Sequence, residues 1–222
     1  MDWYCSGDSI HCFNQPSEMS SDDVYRTLSK PSNEILFKEK NSKFYGYAFP
    51  VQTEDDVKNR LEEIKKKHYN AGHWCYAYQL GKSKSTLVYR ANDDGEPNNT
   101  AGMPIYGQIQ SFDVTDVLVI VVRYFGGVKL GVGGLIQAYK TAAEMALSGS
   151  KIVKRTIKAH FELHFDYPVM NEVMRIIKSE NLKIIHQTMN LDCRIEIAVR
   201  LKEADRIFGI YKAHANISIK RL

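Results

Sequence analysis

The sequence lacks any apolar run long enough to cross a bilayer, since a spanning helix needs about 18 or more such residues. Its longest apolar stretch, residues 117–122, has only the length of a buried strand. The N-terminus also lacks the basic segment and the apolar segment of a secretory signal. These absences predict a cytoplasmic protein with no membrane partner.

Cysteine and proline are scarce, with 4 and 6 residues among 222. No two cysteines form a Cys-x-x-Cys pair, which disfavours a disulfide framework and a zinc site and predicts reduced thiols. The sequence predicts no metal and no cofactor.

The low proline content and an apolar fraction of 44% exclude collagen-like and disordered classes. The length allows one or two folded domains.

Positive charge is unevenly distributed along the chain. Residues 1–149 carry 16 Lys and Arg against 18 Asp and Glu, whereas residues 150–222 carry 14 against 8. The net charges of −2 and +6 account for the total of +4. A basic segment favours an anionic partner, and nucleic acid is the commonest one.

The hydrophobic pattern divides the chain into three parts. Residues 1–30 are polar and lack periodicity, which predicts a flexible extension. Residues 31–149 show strand and helix patterns that predict a mixed α+β domain. The pattern restarts after Gly149, and residues 150–222 show the order β-α-β-β-α-β of a ferredoxin-like domain. Its first strand is predicted to extend over residues 152–165.

Short-range signals place the elements of the middle part. A turn at Asn41 and Ser42 predicts a hairpin, and Thr53 with Asp56 predicts the capped start of an amphipathic helix. Further strands are predicted at residues 73–80, 86–91 and 117–123, and a short helix at residues 103–110. A glycine-rich loop then leads into a helix with one apolar face.

This glycine-rich loop is the first candidate site. Backbone N–H groups of a loop before a helix can bind an anion, and exposed basic side chains would strengthen that binding. No Walker A motif or dinucleotide fingerprint is present, so the alternative is that the glycines serve only backbone conformation and close packing. The predicted anion-binding or nucleic-acid-binding residues are Arg90, Arg123, Lys129, Lys140, Gly126, Gly127, Gly131, Gly133 and Gly134.

A turn-rich acidic loop with Asp93, Asp94 and Glu96 is the second candidate. These carboxylates could bind a divalent cation or act as acid and base, as in a hydrolase. Acidic residues and Asn also favour turns for purely structural reasons. Because no nucleophile motif or metal-binding pair accompanies them, the sequence favours a non-enzymatic protein and names no catalytic residue.

Aromatic and basic residues alternate in three short segments, at residues 43–45, 89–90 and 123–125. Exposed rings beside lysine or arginine commonly hold single-stranded nucleic acid by base stacking and phosphate contact. Rings on strands more often belong to the core, and the sequence favours that position for each of them, whereas the basic neighbours are expected to be exposed.

Four segments together resemble the YigZ/IMPACT family. They occur in the order KNSKFYGYAFPV, AGHWCYAY, RANDDGEPNNTAGMPI and VVRYFGGVKLGVGGLIQAYKTAAEMAL, between residues 34 and 147. The C-terminal part resembles the smaller domain of bacterial YigZ-type members. The resemblance implies an N-terminal domain like a small-subunit ribosomal protein and the fourth domain of elongation factor G. It also implies a ferredoxin-like C-terminal domain like later domains of that factor.

Relatives of both implied domains contact RNA on the ribosome, and eukaryotic IMPACT is a regulator of translation. The resemblance therefore implies an RNA- or ribosome-associated protein with a role in translation, and it supplies no catalytic residues. Two alternatives remain open, a hydrolase that uses the acidic loop and a module that binds a protein partner.

Overall fold

The computed structural model describes residues 23–190 and 192–222. Most of the predicted N-terminal extension, residues 1–22 with Cys5 and Cys12, lies outside the described residues. The described chain forms these strands and helices in order: β1 (Val24–Leu28), β2 (Ile35–Glu39), β3 (Ser42–Pro50), α1 (Glu54–Lys67), β4 (His73–Leu80), β5 (Val88–Asn92), α2 (Gly102–Ser111), β6 (Val117–Tyr124), α3 (Gly131–Ser148), β7 (Ile152–Thr156), β8 (Lys158–Asp166), α4 (Met170–Ser179), β9 (Lys183–Met189), β10 (Asp192–Arg200), α5 (Ala204–Lys212) and β11 (Ile217–Arg221).

A five-stranded antiparallel sheet organises the N-terminal part, with the order β2-β3-β6-β4-β5. The central strand β6 is the apolar run identified in the sequence, and residues 117–122 are completely buried. Helices α2 and α3 pack on one face and α1 packs on the other. Two cores on opposite faces of one sheet explain why β6 is apolar at successive positions rather than at alternate positions.

Local signals in the sequence correctly predict the ends of several elements. The predicted hairpin is present as β2-β3, but its turn lies at Lys40 and Asn41, one residue before the predicted Asn41 and Ser42. Both turn residues have positive φ, as a tight two-residue turn requires. Helix α1 begins at the predicted capping box, where the Thr53 hydroxyl accepts from the Asp56 N–H at 3.1 Å. The Asp56 carboxylate accepts from the Thr53 N–H at 3.0 Å in return.

The C-terminal part contains a four-stranded antiparallel sheet with the order β11-β8-β10-β9. Helices α4 and α5 contribute apolar side chains to a single core on one of its faces. The predicted β-α-β-β-α-β order is confirmed in the segment from β8 to β11. Its opposite face carries alternating polar residues, as expected for a sheet with one covered face.

The predicted single strand over residues 152–165 is wrong, because the structure divides it into β7 and β8 in different sheets. Strand β7 pairs with β1, which lies in the segment predicted to be a flexible extension. The break falls at Ile157, whose N–H donates to the Asp23 carbonyl at 2.7 Å. Leu28, at the end of β1, is 1% exposed and belongs to the N-terminal core.

An ion pair between the buried Asp23 and the more exposed Arg200 reinforces this ribbon of β1 and β7. The Asp23 carboxylate, 1% exposed, accepts from the Arg200 guanidinium at 3.0 Å. The ribbon therefore connects the start of the described chain to β10. None of the described helices has the length and apolar character that a bilayer span demands.

Candidate nucleic-acid interface

The acidic loop between β5 and α2 uses its first two carboxylates to hold its own backbone. Asp93 Oδ1 accepts from the N–H groups of Ala101 and Gly102 at 2.9 and 2.8 Å, at the start of α2. Asp94 Oδ2 accepts from the Trp74 N–H on β4 at 2.7 Å. These contacts close the loop over the end of the sheet, and they do not favour acid–base chemistry by either group.

The third acid of the loop, Glu96, belongs to a buried polar network. Its Oε1 accepts from Arg123 Nη1 at 2.6 Å and from the Tyr139 hydroxyl at 2.7 Å. Tyr139 in turn lies 3.3 Å from the Cys75 thiol, and burial raises the pKa of both Cys75 and Tyr139. We call these four side chains the buried ion-pair network.

This network changes the role of Arg123. The sequence predicts an exposed cation, but the residue is 6% exposed and ion-paired with Glu96. The expectation of exposure is wrong because Arg123 lies on the face of β6 that α3 covers. Its Cζ is 5.6 Å from the ring centre of buried Phe44 and 5.5 Å from that of Phe125. Arg123 therefore supports the Phe125 ring, which is 57% exposed.

Three of the five predicted glycines are explained by the backbone of the glycine-rich loop. A Cβ at Gly126 would lie 2.1 Å from the carbonyl carbon of Asn41, and the Gly126 N–H donates to Ser42 Oγ at 3.1 Å. Gly127 and Gly131 have φ values of +86° and +74°, which favour glycine. Gly126 thus packs the loop against the β2-β3 turn.

The remaining two glycines lie in the first turn of α3. A Cβ at Gly134 would lie 3.1 Å from Leu130 Cβ, a close packing contact, whereas nothing lies within 4 Å of a Cβ at Gly133. This turn has neither a side-chain cap nor an acidic residue. Lys129, just before it, is exposed and forms no ion pair with the described residues. The positive end of α3 is therefore open to an anion.

A cleft of about 210 Å³ opens beside the loop. Strand pairing places Lys43 of β3 opposite Tyr124 of β6, and this brings together two of the basic–aromatic segments noted in the sequence. We call this cleft the aromatic cleft. Its lining residues are Asn41, Lys43, Tyr45, Tyr124 and Phe125.

A hydrogen-bonded chain holds one wall of the aromatic cleft. The Tyr47 hydroxyl donates to Glu34 Oε2 and also lies 2.5 Å from His68 Nε2. Because the single Tyr47 hydrogen goes to Glu34, His68 Nε2 must carry the hydrogen of that second contact. Neutral His68 then accepts at Nδ1 from the Tyr124 hydroxyl, at 3.1 Å. We call Glu34, Tyr47, His68 and Tyr124 the histidine chain.

Burial keeps this histidine neutral. Desolvation lowers the pKa of His68, and it outweighs the opposing effect of Glu34. Hydrogen bonds from Lys67 and then from Tyr47 lower the pKa of Glu34, so that the carboxylate stays charged. The Tyr45 ring packs against His68 and Tyr124, with ring centres 5.0 and 5.7 Å apart. The rings of the cleft are therefore held in place before any ligand binds.

The other predicted basic residues lie away from this cleft. Arg90 is opposite Tyr78 on β4, whereas Arg123 is opposite His73, five residues along the same strand. That spacing corresponds to roughly 17 Å. Lys140 is exposed on α3, about 14 Å along the helix from its first residue. Of the predicted basic set, only Lys129 is both exposed and adjacent to the loop.

The sequence does not identify the histidine chain as a unit. Its four members come from separate segments, and only the pairing of β3 with β6 and the packing of α1 bring them together. Alternation of basic and aromatic residues is the one signal that points to this surface. Among the residues that the structure describes, no group of three or more His, Cys, Asp or Glu side chains has the arrangement of a metal site.

Comparison with known proteins decides the family. The profile of the Impact N-terminal domain matches residues 40–147. The chain is 33% identical over 183 residues to the IMPACT family member YvyE of Bacillus subtilis (strain 168), with 82% of each protein covered. The chain belongs to the IMPACT family. Another IMPACT family member, YigZ of Escherichia coli (strain K12), is 28% identical over 165 residues, which cover 74% of this chain and 81% of YigZ.

A solved structure shares the IMPACT-family fold seen here. The crystal structure of a hypothetical protein aligns with 90% of this chain and 97% of its own, with a TM-score of 0.67 and 23% sequence identity. This likeness concerns the fold alone.

Proposed function

We propose that this IMPACT family member is a non-enzymatic RNA-binding protein that regulates translation, and that the aromatic cleft holds single-stranded RNA. The observation that carries the proposal is the convergence of three aromatic rings, one lysine and one amide on a single cleft beside an open helix N-terminus. Stacking on exposed rings next to a basic groove is the common way to hold single strands.

Each part of the surface has a defined task in this proposal. The exposed Phe125 ring stacks on a base, supported from beneath by Arg123. Lys43 and Lys129 contact phosphates, and the uncapped first turn of α3 adds backbone N–H donors. The net charge of +6 on residues 150–222 extends the electrostatic attraction beyond the cleft.

The translational role rests on the family resemblance rather than on the cleft. The implied likeness to domains of elongation factor G, the association with ribosomes and the cytoplasmic location are parts of the same proposal. The hydrolase alternative receives no support from the acidic loop, because Asp93, Asp94 and Glu96 all accept hydrogen bonds within the fold.

The test is binding of a fluorescent oligouridylate of about ten nucleotides, measured by anisotropy between about 50 and 200 mM salt. We expect binding that weakens steeply with salt. The Lys43→Ala/Lys129→Ala variant should reduce the slope of log affinity against log salt by about 0.7 for each phosphate that the protein no longer neutralises. Lys58→Ala, at an exposed lysine on α1, is the matched control and should leave the slope unchanged.

The same variants then test the ribosomal part of the proposal. The wild type should sediment with ribosomal subunits at low salt, and the double variant should be retained less than the Lys58→Ala control. Absence of oligouridylate binding at low salt, or equal slopes for wild type and double variant, would rule out the aromatic cleft as the RNA site. RNA binding without sedimentation on ribosomes would separate the cleft from translation.

A further inference from the structure

Strand β5 forms an outer edge of the five-stranded sheet. Its inner edge pairs with β4, from Leu80 opposite Val88 to Tyr76 opposite Asn92. No described strand pairs with its outer edge. Except at Asn92, which packs against Gly102 of α2, the backbone N–H and C=O groups on that side can pair with another extended chain.

The start of β5 carries more large exposed apolar side chains than the other edge strands of the two larger sheets. Proteins protect open edges with charges or bulges. Strand β2 carries Lys38 and Glu39, β11 carries Lys220 and Arg221, and the pairing of β9 is interrupted by a register shift. Around the start of β5, three successive large apolar side chains are exposed instead. They are Leu87 at 44%, Val88 at 54% and Tyr89 at 54%.

The fold holds this edge in place. The Tyr89 ring stacks on Tyr106 of α2 with centres 4.1 Å apart and planes at 9°. Tyr106 donates to Gln79 Oε1 on β4 at 3.1 Å. At the start of the preceding loop, Gly81 has φ of +106°, and its N–H donates to the Asp116 carboxylate at 3.0 Å. Because the edge is already extended and fixed, a partner strand would find it preformed.

Charge decides what kind of strand fits. Residues 81–92 contain Lys82, Lys84 and Arg90 and no acidic residue, which gives this segment a net charge of +3. Two copies of the chain paired through β5 would bring these like charges together, and such pairing is unfavourable. A strand with acidic side chains would meet the opposite charge of Arg90, which is exposed next to the apolar side chains of Val88 and Tyr89.

We propose that the outer edge of β5 binds an extended acidic peptide segment of a partner protein by strand addition. Main-chain hydrogen bonds to the free edge provide affinity, and the apolar and basic side chains select the sequence. The site gives Arg90 a role that the aromatic cleft does not, since Arg90 lies roughly 17 Å along the sheet from Arg123. It is independent of the RNA-binding proposal.

The test begins with a displayed library of random peptides of about twelve residues, selected on the full chain. We expect enriched peptides in which acidic residues alternate with β-branched ones. Titration of the strongest peptide should show an affinity about tenfold lower for Arg90→Glu than for the wild type. Lys38→Glu, the equivalent charge reversal on the β2 edge, is the matched control and should leave the affinity unchanged.

Hydrogen exchange with and without that peptide locates the contact. Slower exchange confined to Val88–Asn92, with no change in Ile35–Glu39, supports strand addition at β5. Three results would overturn the proposal. They are enriched peptides without acidic residues, equal affinity for Arg90→Glu and wild type, and protection of β5 by oligouridylate or by dimerisation instead of by peptide.

Discussion

Arg123 and Tyr124 are neighbours at the end of β6, and their side chains enter two very different polar networks. Arg123 lies on the α3 face in the buried ion-pair network, where Glu96 is 8% exposed. Tyr124 lies on the α1 face in the histidine chain and lines the aromatic cleft. Each network combines a carboxylate, a tyrosine and a nitrogen-containing side chain, which is the Arg123 guanidinium in one and the neutral His68 imidazole in the other. One is sealed by the helix layer and holds the acidic loop, whereas the other ends at a surface that a ligand can reach.

This difference shows that polarity and buried charge do not by themselves indicate a ligand site. The Glu96–Arg123 pair, with its atoms 2.6 Å apart, is buried on both sides, whereas Glu34 of the histidine chain pairs with the more exposed Lys67. Its function is to hold the loop and to support Phe125, because no partner can reach the guanidinium. The histidine chain, in which the imidazole is neutral, is the one that positions the half-buried rings of Tyr45 and Tyr124 in the cleft.

Breaking the buried ion-pair network should have the largest effect on stability. Arg123→Met or Glu96→Leu alone leaves a buried charge without its partner and should lower the free energy of unfolding by about 3–5 kcal/mol. The double variant Glu96→Leu/Arg123→Met should be less destabilised than either single one, because no unpaired charge remains. Urea denaturation measures all three.

The matched control for that prediction is Glu63→Ala, which breaks an exposed pair with Arg60 of similar length, 2.7 Å. An exposed pair contributes about 0–1 kcal/mol. If the Glu96 and Arg123 single variants cost no more than this control, the network does not hold the loop.

The Phe125→Ala variant tests the aromatic cleft. Loss of one stacked base should reduce affinity for oligouridylate by about tenfold to a hundredfold. The urea midpoint should stay unchanged because the ring is 57% exposed. Tyr167→Ala, at an aromatic residue 64% exposed in the C-terminal part, is the control and should change neither quantity. Equal affinity for Phe125→Ala and the control would exclude stacking in the cleft.

Two glycine substitutions with smaller expected effects separate a change in stability from a change in RNA binding. Gly133→Ala and Gly107→Ala both place a methyl group in open space on a helix, so each should stabilise the fold by about 0.5–1 kcal/mol. Only Gly133→Ala should also weaken RNA binding, because its methyl group covers the first turn of α3. Thermal unfolding and anisotropy measure the two effects. Equal RNA affinity in both variants would mean that no ligand approaches this turn.

The smallest expected effect is a pH dependence from His68. Its pKa is lowered in the folded state, so the unfolded chain takes up a proton first as the pH falls. The stability that His68 contributes is therefore complete above its unfolded pKa of about 6.5 and declines below it. Between about pH 7.5 and 5.5 the wild type should lose more stability than His68→Gln.

His186→Gln, at an exposed histidine on β9, is the matched control for replacing histidine by glutamine and should follow the wild-type curve. Parallel curves for wild type and His68→Gln would show that His68 is not held neutral by the fold.

Elements that depend on neighbouring residues could be predicted from the sequence. The limits of β4, the capping box of α1 and the apolar face of α3 with Leu135 and Tyr139 agree with the sequence patterns. Such signals lie within a few residues of the element that they define. The break at Ile157 could not be predicted in this way, because its hydrogen-bond partner, Asp23, is the first described residue and lies far from Ile157 in the sequence.

The candidate site could be predicted only in part. The sequence identifies the glycine-rich loop and Lys129, and the alternation of basic and aromatic residues points to Lys43, Tyr124 and Phe125. Side chains alternate between the faces of a strand, and the sequence does not show which helix covers which face. The predicted exposure of Arg123 is wrong for this reason, and the histidine chain has no signal in the sequence.

By itself, the sequence determined the family, the order of the elements and the basic character of the C-terminal part, because these depend on local patterns and on composition. The tertiary structure alone decided that Arg123 is buried while Lys43 is exposed, and that the residues around His68 meet at one cleft. Strand pairing and helix packing join residues far apart in the chain, and the free energy of those contacts selects the exposed face only once the whole sheet has formed.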